Sequence, residues 1–310
     1  MTPIALGTIP FGTTVDEATS FAILDRFAEA GGTMIDTSNN YPFWHEGATG
    51  QESETTVGAW LAARPGMRER VVLSTKCGAR PSVPGDRTLD RPEGLSAPVI
   101  RAAVEGSLHR LGTTHVDVYW AHIEDRATPL EEQVDAMAGL VEQGKVRELG
   151  ASNHPTWRVE RARGIARAAG RPGYSLLQLR HSYLRPRPGV RLPEGGHVQA
   201  SEETFDYLRR EGLRLWAYTT LLAGAYTRAD RPIPPTYDHP GTERRLAALR
   251  GVAADLGATP NQVVLAWLAA QGVVPIVGVS TLAQLEEAVA AADVKLDDEL
   301  RSRLDDPALA

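Results

Sequence analysis

Cysteine is almost absent from the chain: Cys77 is the only one, so no internal disulfide can form, and a reducing, cytoplasmic setting is expected. Lysine is nearly as scarce, with Lys76, Lys145 and Lys295 standing among basic residues that are otherwise arginine. In such a chain a lysine at a strand end stands out, while Lys295 reads as plain surface. There is no basic tract. The net charge is −6 with both signs scattered, which argues against nucleic-acid or anionic-membrane partners. No apolar run is long enough to span a bilayer, since the longest, Val263 to Val279, is broken by Gln271, Gly272 and Pro275. Met1 to Leu6 lacks a basic n-region and a long apolar stretch, so no secretion signal is expected. No linker, low-complexity segment or charge block divides residues 1–310, which read as one domain, and no metal site is expected.

What is present is alternation. Short apolar, β-branched runs at 4–8, 33–36, 71–76, 115–122, 146–151, 174–179, 213–218 and 273–277 are separated by amphipathic helical patterns. Ile100, Val104, Leu108 and Leu111 mark one apolar helical face. Thr128-Pro129-Leu130-Glu131 and Thr259-Pro260-Asn261-Gln262 read as capping boxes with Pro at the first helical position, and Thr281-Leu282-Ala283-Gln284 as a third box. Eight strand–helix units predict an α/β fold, a (β/α)8 TIM barrel. The alternative, an open doubly wound sheet, wants a glycine-rich turn after the first strand. Gly7-Thr8-Ile9-Pro10-Phe11-Gly12 does not fit G-x-G-x-x-G.

Three of these runs end on ionisable residues. Met34-Ile35-Asp36 is followed by Tyr41, Val71 to Thr75 leads to Lys76, and Val116 to Ala121 leads to His122. In an alternating chain such strand ends converge on one face, where chemistry is done. A phenol is a poor acid at neutral pH, and an ammonium beside it is expected to lower its pKa. Lys76 would be that neighbour, Asp36 would hold the lysine as an ion pair, and His122 would hydrogen-bond a substrate oxygen. Such a set polarises a carbonyl and protonates the developing alkoxide, but it supplies no electrons, so a hydride donor is required. Taken singly, Asp36 can cap a turn, Tyr41 before Pro42 can anchor a loop, and His122 can be a core histidine. Lys76 pointing into a barrel mouth must find a partner. The combination is more specific than any member.

Gly32-Thr33-Met34-Ile35-Asp36-Thr37-Ser38 with Tyr41, Ser53-Glu54 and Gly58, then Ser74-Thr75-Lys76, His122 and Gly144 to Asn153, resemble the aldo-keto reductases. The similarity runs through Trp216-Ala217-Tyr218 and Pro275-Ile276-Val277-Gly278, nearly the whole chain. The resemblance implies an (α/β)8 barrel and direct hydride transfer from NADPH to an aldehyde or ketone. It implies Asp36, Tyr41, Lys76 and His122 as the catalytic four, with Tyr41 as acid and base. By the same match Ser152 and Asn153 bind the nicotinamide carboxamide with Gln178. The turn after the seventh strand, around Thr219 to Leu222 and including Leu221, runs along the pyrophosphate. The segment from Gly278 through Ser280, Gln284 and Glu287, with the helix opened by Thr281, lies near the adenosine phosphate.

The chain also departs from the family's pattern. Where members often carry an aromatic to stack on the nicotinamide, three residues after Gln178, it has His181. Ser280 stands where many carry Arg or Lys for the 2′-phosphate, and Ala288 where an Asn usually meets the adenine. No fixed cation for the phosphate is obvious, so NADPH is expected with NADH left open. The β-hairpin that often closes the barrel base is expected to be minimal or missing. Phe43 and Trp44, in a long loop beside Tyr41, either wall a substrate pocket or pack the loop onto the barrel. Two other functions stay open: a non-catalytic nicotinamide-binding regulatory subunit of the same fold, and a Schiff-base aldolase using Lys76. The expected partner is a small-molecule carbonyl substrate.

Overall fold

A computed structural model describes residues 3–192 and 196–306. In chain order the elements are β1 (Ala5–Gly7), α1 (Glu17–Glu29), β2 (Met34–Asp36), α2 (Glu52–Ala63), β3 (Val72–Cys77), α3 (Ala97–Leu111), β4 (Val116–Ala121), α4 (Leu130–Glu142), β5 (Val146–Ser152), α5 (Thr156–Ala168), β6 (Tyr174–Arg180), α6 (Glu202–Glu211), β7 (Arg214–Tyr218), α7 (Pro240–Leu256), α8 (Pro260–Ala270), β8 (Val273–Gly278), α9 (Leu282–Val289) and α10 (Asp298–Asp305). All eight strands fall where the sequence predicts them. They pair in parallel and in sequence order, and β8 closes on β1 to complete the barrel. No strand precedes β1 among the described residues. None of their helices is long and apolar enough to cross a membrane.

The period of two along each strand splits the core into two layers. Leu6, Ile35, Leu73 and Tyr119 face outward into the large cluster under the helices. Ala5, Val118, Trp120, Leu176, Trp216 and Ile276 fill the barrel interior. Trp120 and Trp216 meet edge to face there with ring centroids 5.6 Å apart, so the interior is packed and not a channel. Gly150 on β5 makes this possible, because a Cβ at that position would lie 2.1 Å from the Trp120 ring.

Of the three expected capping boxes one forms in full and two are corrected. Thr259 accepts from Gln262 N while the Gln262 side chain accepts from Thr259 N, and Pro260 opens α8. Thr281 caps Gln284 N, but the Gln284 carbonyl turns one residue back, to Ser280 N at 2.7 Å. Thr128 does not cap α4. Asp125 takes the Thr128 hydroxyl at 2.7 Å, and Pro129 becomes the cap residue instead of the first helical one. An ionised carboxylate three residues upstream is a stronger acceptor than a hydroxyl and captures the local donors.

Gly150→Ala should destabilise the protein by about 1–3 kcal/mol, because the added methyl overpacks a barrel plugged by two indoles. The urea unfolding midpoint of this variant against wild type checks it; an unchanged midpoint would mean that Trp120 has room to shift.

Candidate active site

The register of the barrel brings the polar strand ends together. Asp36 lies opposite Gly7 of β1 and Ser74 of β3, and Ser152 lies opposite Gln178 of β6. Lys76 is fully buried, and its Nζ donates to Asp36 Oδ2 and to the Thr37 carbonyl, each at 2.7 Å. The other carboxylate oxygen of Asp36 accepts from Ser74 Oγ at 2.6 Å and Gln178 Nε2 at 3.2 Å. Both charges are therefore compensated by the protein itself, as a buried pair requires. A second carboxylate sits behind this pair. Glu54, fully buried, accepts from Thr75 Oγ1 and from Arg110 Nε at 2.7 Å.

The Lys76 ammonium lies 4.8 Å from the centre of the Tyr41 ring, and the His122 ring meets Tyr41 edge-on at 5.7 Å. Burial, and after it the Asp36 charge, push the Tyr41 phenol well above its ordinary pKa. This corrects the expectation that Lys76 makes the phenol more acidic. The ammonium is neutralised by Asp36 and faces the ring, so desolvation of the phenolate dominates. Burial also lowers the Lys76 ammonium, with Asp36 opposing the shift. Burial and the Lys76 charge together hold the His122 imidazole well below its usual value, so the ring is neutral.

Tyr41, His122 and Asp36 line a cavity of about 440 Å³ at the C-terminal mouth of the barrel. Phe43, Trp44, Ser152, Asn153, Gln178, Thr219 and Gly278 line it as well, so the barrel assembles most of the expected residues. Phe43 is buried against the edge of Trp44, which stays 45% exposed, and the loop walls the cavity while packing on itself. Asn153 holds its place with a full set of bonds: Nδ2 donates to the His122 carbonyl and Ser152 Oγ, and Oδ1 accepts from Tyr218 Oη at 2.6 Å and Val198 N. Leu221, Ser280, Gln284 and Glu287 lie outside this cavity. Leu221 packs against the outer core. Ser280 is exposed at the start of α9. Glu287 is tied to the start of α8 by Thr259 Oγ1 and Asn261 Nδ2.

His181 is a correction. It lies beyond the end of β6, fully buried, stacked on Trp267 and edge-on to Phe205 under the outer helices. Its two nitrogens have no hydrogen-bond partner, and burial lowers its pKa to about 3. The aromatic ring at the mouth is Tyr218 on β7 instead. Its signal was the period of two, since Tyr218 follows the interior Trp216 on the same face. His197 and Leu89 also line the mouth, from irregular segments where no periodicity marks them.

A closed eight-stranded parallel barrel with a buried Lys–Asp pair, a tyrosine and a histidine gathered at its C-terminal mouth defines the class: a (β/α)8 barrel protein with one polar site at the strand ends. The chain matches the model of the aldo/keto reductase family over residues 3–307, and it belongs to that family, whose chemistry is nicotinamide-dependent carbonyl reduction. It is 33% identical to the uncharacterized oxidoreductase YrpG of Bacillus subtilis (strain 168), with 98% of this chain and 91% of that protein covered. It is 30% identical to the norsolorinic acid reductase stcV of Emericella nidulans, with 96% and 76% covered. The crystal structure of a thermostable aldo-keto reductase, Tm1743, with the inhibitor epalrestat superposes with a TM-score of 0.75 at 24% identity, over 98% of this chain and 94% of that one, and shares its fold.

His181 carries a cost that acid should reveal. Its folded pKa of about 3 lies below the ordinary 6.5, so the unfolded chain takes the proton first and stability falls as pH drops from 6.5 towards 3. His181→Phe should stabilise the protein by about 1–3 kcal/mol at neutral pH by removing two unpaired nitrogens. The gain should grow by about 1.4 kcal/mol for each pH unit below 6.5. Urea unfolding at pH 7 and pH 5 measures both, and a gain that does not grow would rule out a neutral, unsatisfied His181.

Proposed function

We propose that this protein reduces an uncharged aldehyde or ketone to an alcohol with a nicotinamide cofactor, and that Tyr41 is the general acid. The carrying observation is the Tyr41 phenol, kept protonated by burial at the cavity wall, with Lys76 4.8 Å from its ring centre. A group that holds its proton until an alkoxide forms beside it is suited to donate it. The mouth fits a planar ring. Gly7 and Gly278 face each other across β1 and β8, and a Cβ at Gly278 would have only the Gly7 carbonyl near it, 4.0 Å away. That leaves a bare backbone shelf, with Tyr218 and the amides of Asn153 and Gln178 on the same cavity wall. A bound nicotinamide supplies the hydride, which no side chain here can. Ser152, Asn153 and Gln178 would hold its carboxamide, with Asn153 exchanging one of its present partners. Thr219 and Leu221 would follow the pyrophosphate, and Ser280 with the first turn of α9 the adenosine phosphate.

The rest of the wall favours apolar substrates. Ile9, Phe43, Trp44, Leu89 and Ile123 line it, and no Lys or Arg does among the described residues, so a carboxylate substrate would find no cation to pair with. Lys76 lies behind Tyr41, off the wall, with two of its N–H bonds held by Asp36 and Thr37. That weighs against a Schiff-base aldolase. The proposed setting is the cytoplasm, in keeping with a single buried, free cysteine.

Following nicotinamide absorbance with a panel of aryl and alkyl carbonyls tests this reading directly, and no turnover with any of them would reject it. Tyr41→Phe should lower kcat by about 10²–10⁴-fold while nicotinamide binding, read by fluorescence titration, changes little. A variant keeping most of its kcat would remove Tyr41 from the acid role. For the cofactor, a helix N-terminus contributes on the order of 0.3–2 kcal/mol to holding a phosphate, without demanding one. Wild type should therefore prefer NADPH only modestly, and Ser280→Arg should tighten NADPH and leave NADH unchanged. Titration of both nucleotides decides it. A strong wild-type NADPH preference would mean that another cation reaches the 2′-phosphate.

A further inference from the structure

Between β3 and α3 the chain forms a hairpin at the rim of the mouth. Residues 80–82 and 91–93 run antiparallel. Ser82 N donates to the Arg91 carbonyl at 2.9 Å, Glu93 N donates to the Arg80 carbonyl at 2.7 Å, and Pro81 bridges Pro92. The tip is tied to itself. Asp86 Oδ1 accepts from Thr88 N and Thr88 Oγ1, each at 2.9 Å, and Asp86 Oδ2 meets Arg91 at 3.6 Å. Among the described residues, 82–91 hydrogen-bond only with one another. The hairpin therefore keeps its shape without help from the barrel and can shift as a unit. Its fastenings lie at its feet, and they come from the two residues before Tyr41. Asn40 Nδ2 donates to the Ala79 carbonyl on the outgoing foot at 3.0 Å. On the returning foot Glu93 Oε1 accepts from Asn39 Nδ2 at 2.8 Å and from Gly78 N at 2.7 Å, so one carboxylate oxygen clamps the two feet together. Gly78 and Gly94 stand at those feet with φ of 103° and 74°, where any other side chain would be strained. Of residues 80–92, Leu89 lines the cavity.

We propose that Leu89 is a specificity-determining residue, a piece of the cavity wall carried on a hinged hairpin, and that Glu93 is the positioning residue that holds the hairpin on the mouth. Glu93 does not itself line the cavity and acts through Leu89. Because Asn39 and Asn40 hold the hairpin's feet and lead directly into Tyr41, the movable wall and the proposed acid share one anchor. The substrate half of the proposal rests on the reductase reading; the clamp does not.

Two measurements test it. Arg80 and Arg91 both precede proline, so Arg87–Thr88 is the one bond of the hairpin that trypsin can cut. Cleavage of a folded protein follows the population of its open form. Glu93→Ala should therefore speed this cut by about 10-fold or more, the value of a single hydrogen bond to a charged group. Glu93→Gln, whose amide oxygen can accept the same two N–H bonds, should stay close to wild type. An unchanged rate in Glu93→Ala overturns the clamp. If that variant does not fold, Leu89→Ser at the half-exposed tip replaces it: loss of the seat should also speed the cut, and an unchanged rate overturns the seating of the hairpin on the mouth. The second measurement is the ratio of kcat/KM for 4-propylbenzaldehyde to that for benzaldehyde. Leu89→Ala should shift this ratio by about fourfold, the value of one buried methylene. In the Glu93→Ala background the same substitution should leave it nearly unchanged, because the hairpin is already off the wall. No shift in the wild-type background overturns the role of Leu89, and an equal shift in both backgrounds overturns the role of Glu93. If no carbonyl turns over, the reductase reading fails, and the cleavage rates still decide the clamp.

Discussion

Two opposite charges sealed in the mouth of a barrel set the terms for everything around them. Lys76 and Asp36 are 2.7 Å apart, the lysine fully buried and the carboxylate almost so, at the floor of the cavity. Desolvating each costs several kcal/mol, and their attraction repays that only if the remaining donors and acceptors are met. They are met from three other places: Ser74 on β3, Gln178 on β6 and the Thr37 carbonyl. Each of those is delivered by strand register, so the ion pair requires a closed barrel with β2, β3 and β6 in these positions. The pair also decides the chemistry. Asp36 neutralises the ammonium before Tyr41 can feel it as a free charge, and the phenol stays a phenol.

Holding such a site costs backbone strain, and the strain is localised. Among the described residues the non-glycine positions with positive φ are Asn153, Thr219, Leu222 and Ala223, all just past the ends of β5 and β7 at the mouth. Residues held there cost on the order of 1–3 kcal/mol each and persist only where their surroundings over-determine them. Asn153 is fixed by bonds at both ends of its amide. The β7 turn is fixed by Thr220, whose hydroxyl donates to the Ile276 carbonyl and whose own carbonyl accepts from Ser182 at 2.6 Å. The paired indoles beneath supply the rigid floor.

Much of this was legible because strands announce themselves by composition and their ends by the change to polar residues. Asp36, Lys76 and His122 each close an apolar run, and the barrel had to bring them together. What failed were inferences that needed a distance. The offset of three from Gln178 to His181 crosses the end of β6 at Arg180, where alternation no longer says which way a side chain points. Tyr218, still within β7 and two residues after an interior tryptophan, keeps its face. The direction of the Tyr41 shift depends on whether Lys76 meets the hydroxyl or the ring, and Thr128 on a carboxylate folded back three residues. His197 sits in an irregular segment, where only the folded chain shows its contact with Tyr218.

The distribution of charge along the mouth separates two tasks that a carbonyl reductase must perform. Permanent anions, the cofactor phosphates, would lie on backbone amides and hydroxyls from Thr219 to α9, outside the cavity, where exposure keeps the energies small. In the proposed reaction the charge at the reacting oxygen would be transient and would develop beside the Tyr41 phenol in an apolar enclosure, where each hydrogen bond counts for more than in water. Lys76, the cation beside it, is already matched by Asp36. A site built this way gains little from binding a charged ground state and most from donating a proton at the moment it is needed, which is the condition for raising kcat and not only lowering KM.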